Sequence, residues 1–382
     1  MVQHIAIIGG GIGGLCTAIA LRRHGIEARV YEVAPELKAA GAGIWVPINA
    51  MQVLQRMGIA DEVTARGKRL TYGEVKVLNG PVLSRLDLEA LAKQFGHTTV
   101  SIHRARLQDI LVRALPSGTL VLGSACAGVE ERENDVLLRF KNGTEVAADA
   151  VIGADGLHSV VRSAVAPHAR LRYAGQTSYR GVCRFTIPHE MRGHGGELWG
   201  TEGRIGFSPI GRDEVYWFAV EDAPAGGTDA PGTLLKKMER LAVRFPDPIP
   251  AILSATREED IIRTDLYDLK PLDRWWKGRV VLVGDAAHAT TPNLGQGGAQ
   301  AIEDAWALAS CIATHGVGPQ AFQAYQNLRM RKARQIVTTS WWLGKAAHVK
   351  NPIARALRNA LMRAIPESAS RKQLEQISTL NF

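Results

Sequence analysis

Residues 4–32 read HIAIIGGGIGGLCTAIALRRHGIEARVYE. His4–Ile8 is a short apolar run that ends in glycine, the pattern of a parallel strand buried on both faces. Gly13–Arg23 has helical character, and Glu27–Glu32 returns to strand character. Strand, glycine turn, helix and strand within about 30 residues make a βαβ unit. Gly9, Gly11 and Gly14 fit G-x-G-x-x-G. The first glycine allows the tight turn, the second lets a pyrophosphate approach the backbone, and the third lets helix and strand pack closely. Free N–H groups and the dipole at the helix start then favour the phosphates. Glu32 ends the second strand, 23 residues after Gly9, where an acid accepts hydrogen bonds from ribose hydroxyls. An acid there disfavours a 2′-phosphate, so the unit suits FAD or NAD better than NADP.

Two further segments bear on that choice. The first is Gly153-Ala154-Asp155-Gly156-Leu157-His158-Ser159-Val160-Val161-Arg162. The second runs from Gly284-Asp285-Ala286-Ala287-His288 through Thr291-Pro292-Asn293-Leu294-Gly295-Gln296-Gly297-Gly298 to Glu303-Asp304-Ala305. In the second, a buried strand (Arg279–Val283) ends in a carboxylate, a proline- and glycine-rich loop follows, and a helix over Gly297–Ala313 begins. Asp285 can accept from ribityl hydroxyls. The amides of Gly295–Gly298, at a helix N-terminus, can face the O2 edge of a flavin ring and stabilise negative charge there.

Between these segments, Arg104–Leu115 reads as a helix, and Leu120–Leu122, Val136–Phe140 and Val146–Ile152 read as strands. Asn142-Gly143 is a hairpin turn between the last two. Residues 172–220 change texture: short β-rich runs (Tyr179–Thr186, Gly203–Pro209, Val215–Val220) broken by Gly and Pro predict an antiparallel sheet in a second domain. The expected architecture is α/β: a discontinuous, Rossmann-like domain over 1–72, 98–171 and 271–340, an inserted β-rich substrate domain over 73–97 and 172–270, and a helical, basic segment over 341–382. The cleft between the first two is the natural place for a ligand.

The chain has 382 residues, 46% apolar and 22% charged, which fits a folded protein and argues against disorder. Its four cysteines, Cys16, Cys126, Cys183 and Cys311, form no C-x-x-C pair, which excludes zinc ribbons and Fe–S clusters; no metal site is expected, and a reducing compartment is. The N-terminus lacks signal-peptide character and no run of about 18 apolar residues occurs, so a cytoplasmic protein is expected. Net charge is +9, and residues 331–382 hold ten Lys or Arg against Glu367 and Glu375. The remainder is near neutral, which excludes a basic body that binds nucleic acid.

The three segments in this order resemble the group A, single-component flavoprotein monooxygenases of the para-hydroxybenzoate hydroxylase type. The resemblance covers about residues 1–345 and includes Gly41-Ala42-Gly43-Ile44, with Pro47 and Asn49, and Arg104 with Leu107. It implies FAD held by Gly9, Gly11, Gly13, Gly14, Glu32, Gly43, Arg104, Cys126, Asp155 and Asp285, with Gly295, Gln296, Gly297 and Gly298 against the isoalloxazine. Asp155 then organises its turn and Arg162 meets nearby anionic groups. The implied chemistry is transient binding of NADH or NADPH, reduction of FAD, and hydroxylation of an electron-rich ring by O2 through a flavin C4a-hydroperoxide. Tyr173-Ala174-Gly175, Gly203-Arg204 and Tyr216 are similar to bacterial FAD-dependent hydroxylases of urate, although Asn293 stands where those have Asp. Glu197-Leu198-Trp199 and Ser340-Trp341-Trp342 are similar to hydroxylases of alkyl-quinolones. By this likeness Arg204 and Tyr216 contact the substrate and Pro292 borders the reacting edge.

The expected partner is a small aromatic substrate with O2. Candidate wall residues are Trp199, Arg204, Phe207, Tyr216, Trp217 and Phe218, and strand alternation puts Tyr216 and Phe218 on one face and Trp217 on the other. Arg204 in a strand needs an anionic or carbonyl partner. The motifs equally suit a flavin epoxidase of polyenes or polyketides, or a non-catalytic FAD module. In the tail, Ile353, Ala356, Leu357, Ala360, Leu361, Ala364 and Ile365 follow helical spacing with Arg355, Arg358 and Arg363 between them. Such a helix lies on an anionic membrane surface, or docks by its stripe on its own protein or on a twin subunit.

Overall fold

The computed structural model describes residues 4–37, 42–230 and 232–382; Gly41 lies outside the described residues. The apolar strand Ile5–Ile8 is central to a six-stranded sheet. In space the order is Trp276–Lys277, Val280–Leu282, Ala150–Gly153, Ile5–Ile8, Ala28–Tyr31 and Leu120–Val121. All neighbours run parallel except the first pair. Ile5, Ile7, Val151, Ile152, Val281 and Leu282 are fully buried, which accounts for their uninterrupted apolar runs. One covering layer is formed by the helices Ile12–Arg23 and Gly297–His315, which pack on each other.

The run Val146–Ile152 is two strands rather than one. Glu145–Ala148 belongs to a small antiparallel sheet with Val136–Phe140 and Cys126–Glu131, and Ala150–Gly153 to the parallel sheet. Asp149 makes the break: its N–H donates to the His4 carbonyl at 2.9 Å and its carboxylate accepts from the His4 N–H at 2.7 Å.

The second sheet has seven strands, in the order Ile262–Leu269, Leu171–Arg184, Glu214–Asp222, Gly203–Pro209, His194–Trp199, Tyr72–Val77 and Val82–Asp87. Two features depart from expectation. Leu171–Arg184 is one 14-residue strand that stays continuous through a register shift between Tyr173 and Thr177, with Gly175 in it at φ +79°. The sheet is also mixed, since His194–Trp199 pairs in parallel with Tyr72–Val77. Its back face closes a core in which Trp217, Ile205 and Phe207 pack with Met238 and Ile252 from the helices Leu234–Ala242 and Ile249–Ser254. The front face turns toward the parallel-sheet domain: Trp45 Nε1 donates to Ser208 Oγ at 3.0 Å, and Ser101 Oγ lies 2.9 Å from the same hydroxyl.

The 29-residue helix Pro319–Ala347 leads to Pro352–Ala364 and Glu367–Ser378. The last of these returns to the body, where Gln52 Nε2 donates to the Ser378 carbonyl at 2.8 Å. The apolar stripe of Pro352–Ala364 is not docked on its own chain: Ile353, Leu357, Leu361 and Ile365 are all exposed. Among the described residues, no helix is long and apolar enough to cross a membrane.

Candidate functional site

Parallel pairing brings the three distant glycine segments to one level. Ile8 is in register with both Tyr31 and Gly153, and Gly153 with Leu282. Gly9, Glu32, Ala154 and Asp285 therefore emerge close together beyond the carboxyl ends of adjacent strands, where open α/β sheets bind ligands.

The glycine turn is built by contacts that a side chain cannot share. Gly9 has φ +107°, and a Cβ on it would lie 2.4 Å from the Ala154 carbonyl oxygen. A Cβ on Gly14 would lie 1.9 Å from the Gly9 carbonyl oxygen. Gly11 differs: its Cβ would meet nothing within 4 Å, so an open space faces the first amides of Ile12–Arg23. That helix start has no side-chain cap and no acid in its first turn. Gly13 borders the same turn, and a Cβ there would meet only Ala301 at 3.4 Å. The Glu32 carboxylate accepts from the Gly10 N–H at 2.5 Å and the Ala34 N–H at 2.9 Å.

Two cavities meet at this turn and share Gly11 and Gln108. One, about 400 Å³, is bordered by Glu32, Ala34, Pro35 and Leu37; the other, about 310 Å³, by Ile12, Ala42, Arg104, Arg180 and Ile262. Together they form a path from the Glu32 carboxylate past an uncapped helix start to the front of the seven-stranded sheet. An extended dinucleotide fits this donor set: acid for ribose, amides for pyrophosphate, Arg104 alongside.

Asp285 opens the short helix Asp285–His288 and is exposed. Crowding by protein raises its pKa, opposed by the charges of His288, Arg104 and Arg162. A Cβ on Gly297 would stand 3.9 Å from its Oδ1, so Asp285 and the 292–298 loop are neighbours. Asp155 is absorbed by its own turn, accepting from Ser159 Oγ (2.5 Å), Val160 N (2.7 Å) and Val161 N (3.1 Å). Arg162 lies within reach of the Asp155 and Asp285 charges and hydrogen-bonds to carbonyls: it donates to Leu157 O at 2.6 Å and Ala286 O at 3.2 Å, stapling two of the glycine segments together. Cys126 lies near Asp155, and burial, followed by that charge, pushes its thiol up to about 11.

In the 292–298 loop, Pro292–Leu294 forms one 3₁₀ turn, with Pro292 exposed. Gly295 follows at φ +62°. Gln296 turns inward, and its Oε1 accepts from Asn49 Nδ2 at 3.0 Å and Gln300 Nε2 at 3.1 Å. A Cβ on Gly298 would stand 3.0 Å from Ile44 Cδ1. Asn293 Nδ2 donates to the Ser340 carbonyl at 2.8 Å, which pins the loop to the long helix Pro319–Ala347.

Arg204 is 3% exposed and fully paired. It donates to Glu197 Oε1 at 2.7 Å, to Asn293 Oδ1, and through Nε to His348 Nε2 at 3.3 Å. The cation expected to await a substrate partner thus has its partner within the protein. Tyr216 and Phe218 share the front face, ring centroids 6.1 Å apart. Gly43 makes room for Tyr216, because a Cβ there would fall 2.5 Å from the Tyr216 Cβ. Burial pushes the Tyr216 phenol up to about 12, opposed by Arg180, so it stays protonated. Trp217 and Phe207 are removed from the candidate wall, since both lie in the back-face core.

Several residues of the site escaped sequence reasoning. Arg180 lines the cavity with a buried Nε that has no partner among the described residues. Behind the loop lies a buried ionic cluster: Arg329 pairs with Glu303 and, at 2.9 Å, with Asp304; Lys332 reaches Glu303 at 2.9 Å; His288 Nε2 is 2.5 Å from Asp304 Oδ2. Asn49 Nδ2 joins it to Gln296 by donating to Glu303 Oε1 at 2.6 Å. Adjacent acids in an otherwise apolar helix were the available signal, because buried carboxylates require cations.

His348 supplies a pH dependence. Its Nδ1 is 2.8 Å from Asp222 while its Nε2 accepts from Arg204, an arrangement that suits only the neutral ring. Burial, then the Arg204 charge, pushes its pKa down from 6.5 to about 4, against Asp222 and Glu197. The unfolded chain therefore takes up a proton first as pH falls. Stability from this site is complete above about 6.5 and is lost progressively toward about 4. Thermal midpoints measured across that window should fall with pH, and His348→Gln should flatten the fall.

The sequence pattern described as FAD binding domain matches residues 2–181 and 256–340. The chain belongs to that family. Over 94% of its length it is 38% identical to the aurachin C monooxygenase/isomerase of Stigmatella aurantiaca, covering 93% of that protein. It is 33% identical to an FAD-dependent urate hydroxylase of Mycolicibacterium vanbaalenii, covering 91% of this chain and 89% of the other. Among solved structures, Klebsiella pneumoniae HpxO complexed with FAD and uric acid superposes with a TM-score of 0.88 at 26% identity, over 98% of this chain and 96% of that one. This family member is an FAD-dependent flavoprotein monooxygenase of the para-hydroxybenzoate hydroxylase-like group, as its motifs led one to expect.

Proposed function

We propose that this flavoprotein uses NADH or NADPH and O2 to hydroxylate a small, planar, electron-rich aromatic or N-heteroaromatic compound. One observation carries the reading: the Pro292–Leu294 turn is tied through Asn293 and Arg204 to the front face of the seven-stranded sheet, the face that also carries the Tyr216–Phe218 pair. The 6-hydroxynicotinate 3-monooxygenase of Pseudomonas fluorescens, 32% identical, and the urate hydroxylases act on such rings by name. The division of labour follows the sequence: 1–72, 98–171 and 271–340 for the cofactor, 73–97 and 172–270 for the substrate wall.

Bound FAD supplies electron transfer from the nicotinamide and activation of O2. Gly9, Gly11, Gly13, Gly14, Glu32, Arg104 and Asp285 hold it, and Gly43, Cys126 and Asp155 shape the surrounding turns. The amides of Gly295–Gly298, at the start of Gly297–His315, stabilise negative charge on the ring edge. Tyr216 and Phe218 stack the substrate, Tyr216 offers a phenol proton, and Pro292 borders the reacting edge. Arg204 is a positioning residue that holds the loop against the sheet and keeps water out of the chamber.

Arg204→Met should leave flavin content intact but lower coupled turnover on the order of tenfold, with more of the NAD(P)H appearing as H2O2. Unchanged coupling removes Arg204 from this role. The function itself is tested by screening quinolones, hydroxybenzoates, purines and polyphenols for accelerated NAD(P)H consumption. A product heavier by one oxygen atom is expected. Flavin that no nicotinamide bleaches, with or without aromatics, makes the protein a non-catalytic FAD module instead.

A further inference from the structure

Pro352–Ala364 is mounted with its polar side toward the protein. Arg358 donates to the carbonyls of Ala346 (2.8 Å) and Ala347 (3.2 Å) and lies 4.9 Å from the Trp199 ring centroid. Met362 packs against the cluster of Leu83 and Trp199. The opposite face carries the apolar stripe, with Ile353 79%, Leu357 60%, Leu361 61% and Ile365 52% exposed. This orientation is fixed from both sides. Asn351 caps the helix start, accepting from the N–H groups of Ile353 and Ala354 at 3.0 Å. Beyond the helix the chain docks again, with Leu374 against Ile48, Leu88 and Leu91, and with Leu380 and Phe382 against the main core.

We propose that this face rests on the surface of an anionic lipid bilayer. Charge selects that occupant. Residues 345–366 contain Lys345, Lys350, Arg355, Arg358 and Arg363 and no acid. Lys350 answers Asp222 and Arg358 the helix carbonyls, while Arg363 is exposed at the rim of the stripe. A second copy laid on the same face would bring the exposed Arg363 no carboxylate partner, since neither helix carries an acid. A bilayer instead offers acyl depth to the leucines and phosphates to Arg363, whose stem reaches outward from the apolar boundary. The inner face of the helix touches Trp199, which pairs in register with Arg204, so the bilayer-facing element lies one layer from the chamber. The contact does not depend on the substrate reading.

The test uses the FAD-loaded full chain and flotation with vesicles of phosphatidylcholine alone or mixed equally with phosphatidylglycerol. Binding is expected with the mixed vesicles only, weakened by salt. Leu357→Glu combined with Leu361→Glu should lower the bound fraction by about tenfold or more, while flavin content and thermal midpoint stay unchanged because both side chains are exposed. Failure of the wild type to bind mixed vesicles overturns the proposal, as does binding that survives the double substitution. Light scattering that shows a dimer which the substitutions dissociate also overturns it, and assigns the face to a second copy.

Discussion

An Arg329→Met variant is expected to lose about 3–5 kcal/mol of folding stability, the range for breaking a buried ion pair by removing one partner. Arg329 is 2% exposed, and Glu303 and Asp304 are fully buried. Burial alone raises the Asp304 pKa, but His288 and Arg329 more than offset it and hold the carboxylate well below its ordinary range. Without the guanidinium, Glu303 keeps Lys332 and Asp304 keeps His288, each short of one strong donor. Methionine fills a similar volume, so the loss reports charge rather than a cavity. Denaturant unfolding measures it, and Arg329→Lys should recover part of it. A loss below about 1 kcal/mol shows that the remaining cations suffice. The effect should reach the 292–298 loop as well, because Gln300 donates to Gln296 Oε1 and accepts from Arg329.

Two glycine substitutions separate the fold of the cofactor turn from its ligand. Gly14→Ala drives a methyl to 1.9 Å from the Gly9 carbonyl oxygen, so the helix must leave the strand. Both thermal stability and flavin content should fall steeply. Gly11→Ala meets no protein atom within 4 Å. Its stability should hold, while FAD affinity falls on the order of a hundredfold, about 3 kcal/mol, because the methyl enters the space facing the helix amides. Titration of apoprotein with FAD, read beside thermal unfolding, distinguishes the two variants. A Gly11→Ala protein that purifies with a full complement of flavin contradicts the assignment of that space to the pyrophosphate.

What was legible in the sequence was local or carried by short spacings. The βαβ unit, the strand–carboxylate–loop–helix run at 279–298 and the alternation of Tyr216, Trp217 and Phe218 each follow from neighbours along the chain. Pairings between distant segments were not legible. Nothing near Arg204 announces that Glu197 and Asn293 will claim its donors, and nothing near Gly43 announces Tyr216. The pair Glu303-Asp304 closes the third segment, and nothing near it names Arg329 or Lys332 as its cations. Val146–Ile152 looked continuous because Asp149 breaks it through contacts with His4, well over a hundred residues away. The stripe on Pro352–Ala364 was visible, but its direction depended on Arg358 finding carbonyls of the preceding helix.

The order of the parallel sheet has a consequence for biosynthesis. Ile5–Ile8 acquires its neighbour Ala28–Tyr31 early, yet its other edge stays open until Ala150–Gly153 leaves the ribosome, and that strand in turn waits for Val280–Leu282. Pairings so remote along the chain form slowly and leave bare strand edges in the meantime. A turn built from all three glycine segments is therefore complete only once Val280–Leu282 has been made, and uptake of flavin is expected to follow it. Capture comes after most of the protein has been made, and a shortage of FAD should lower the yield of folded enzyme as well as its activity.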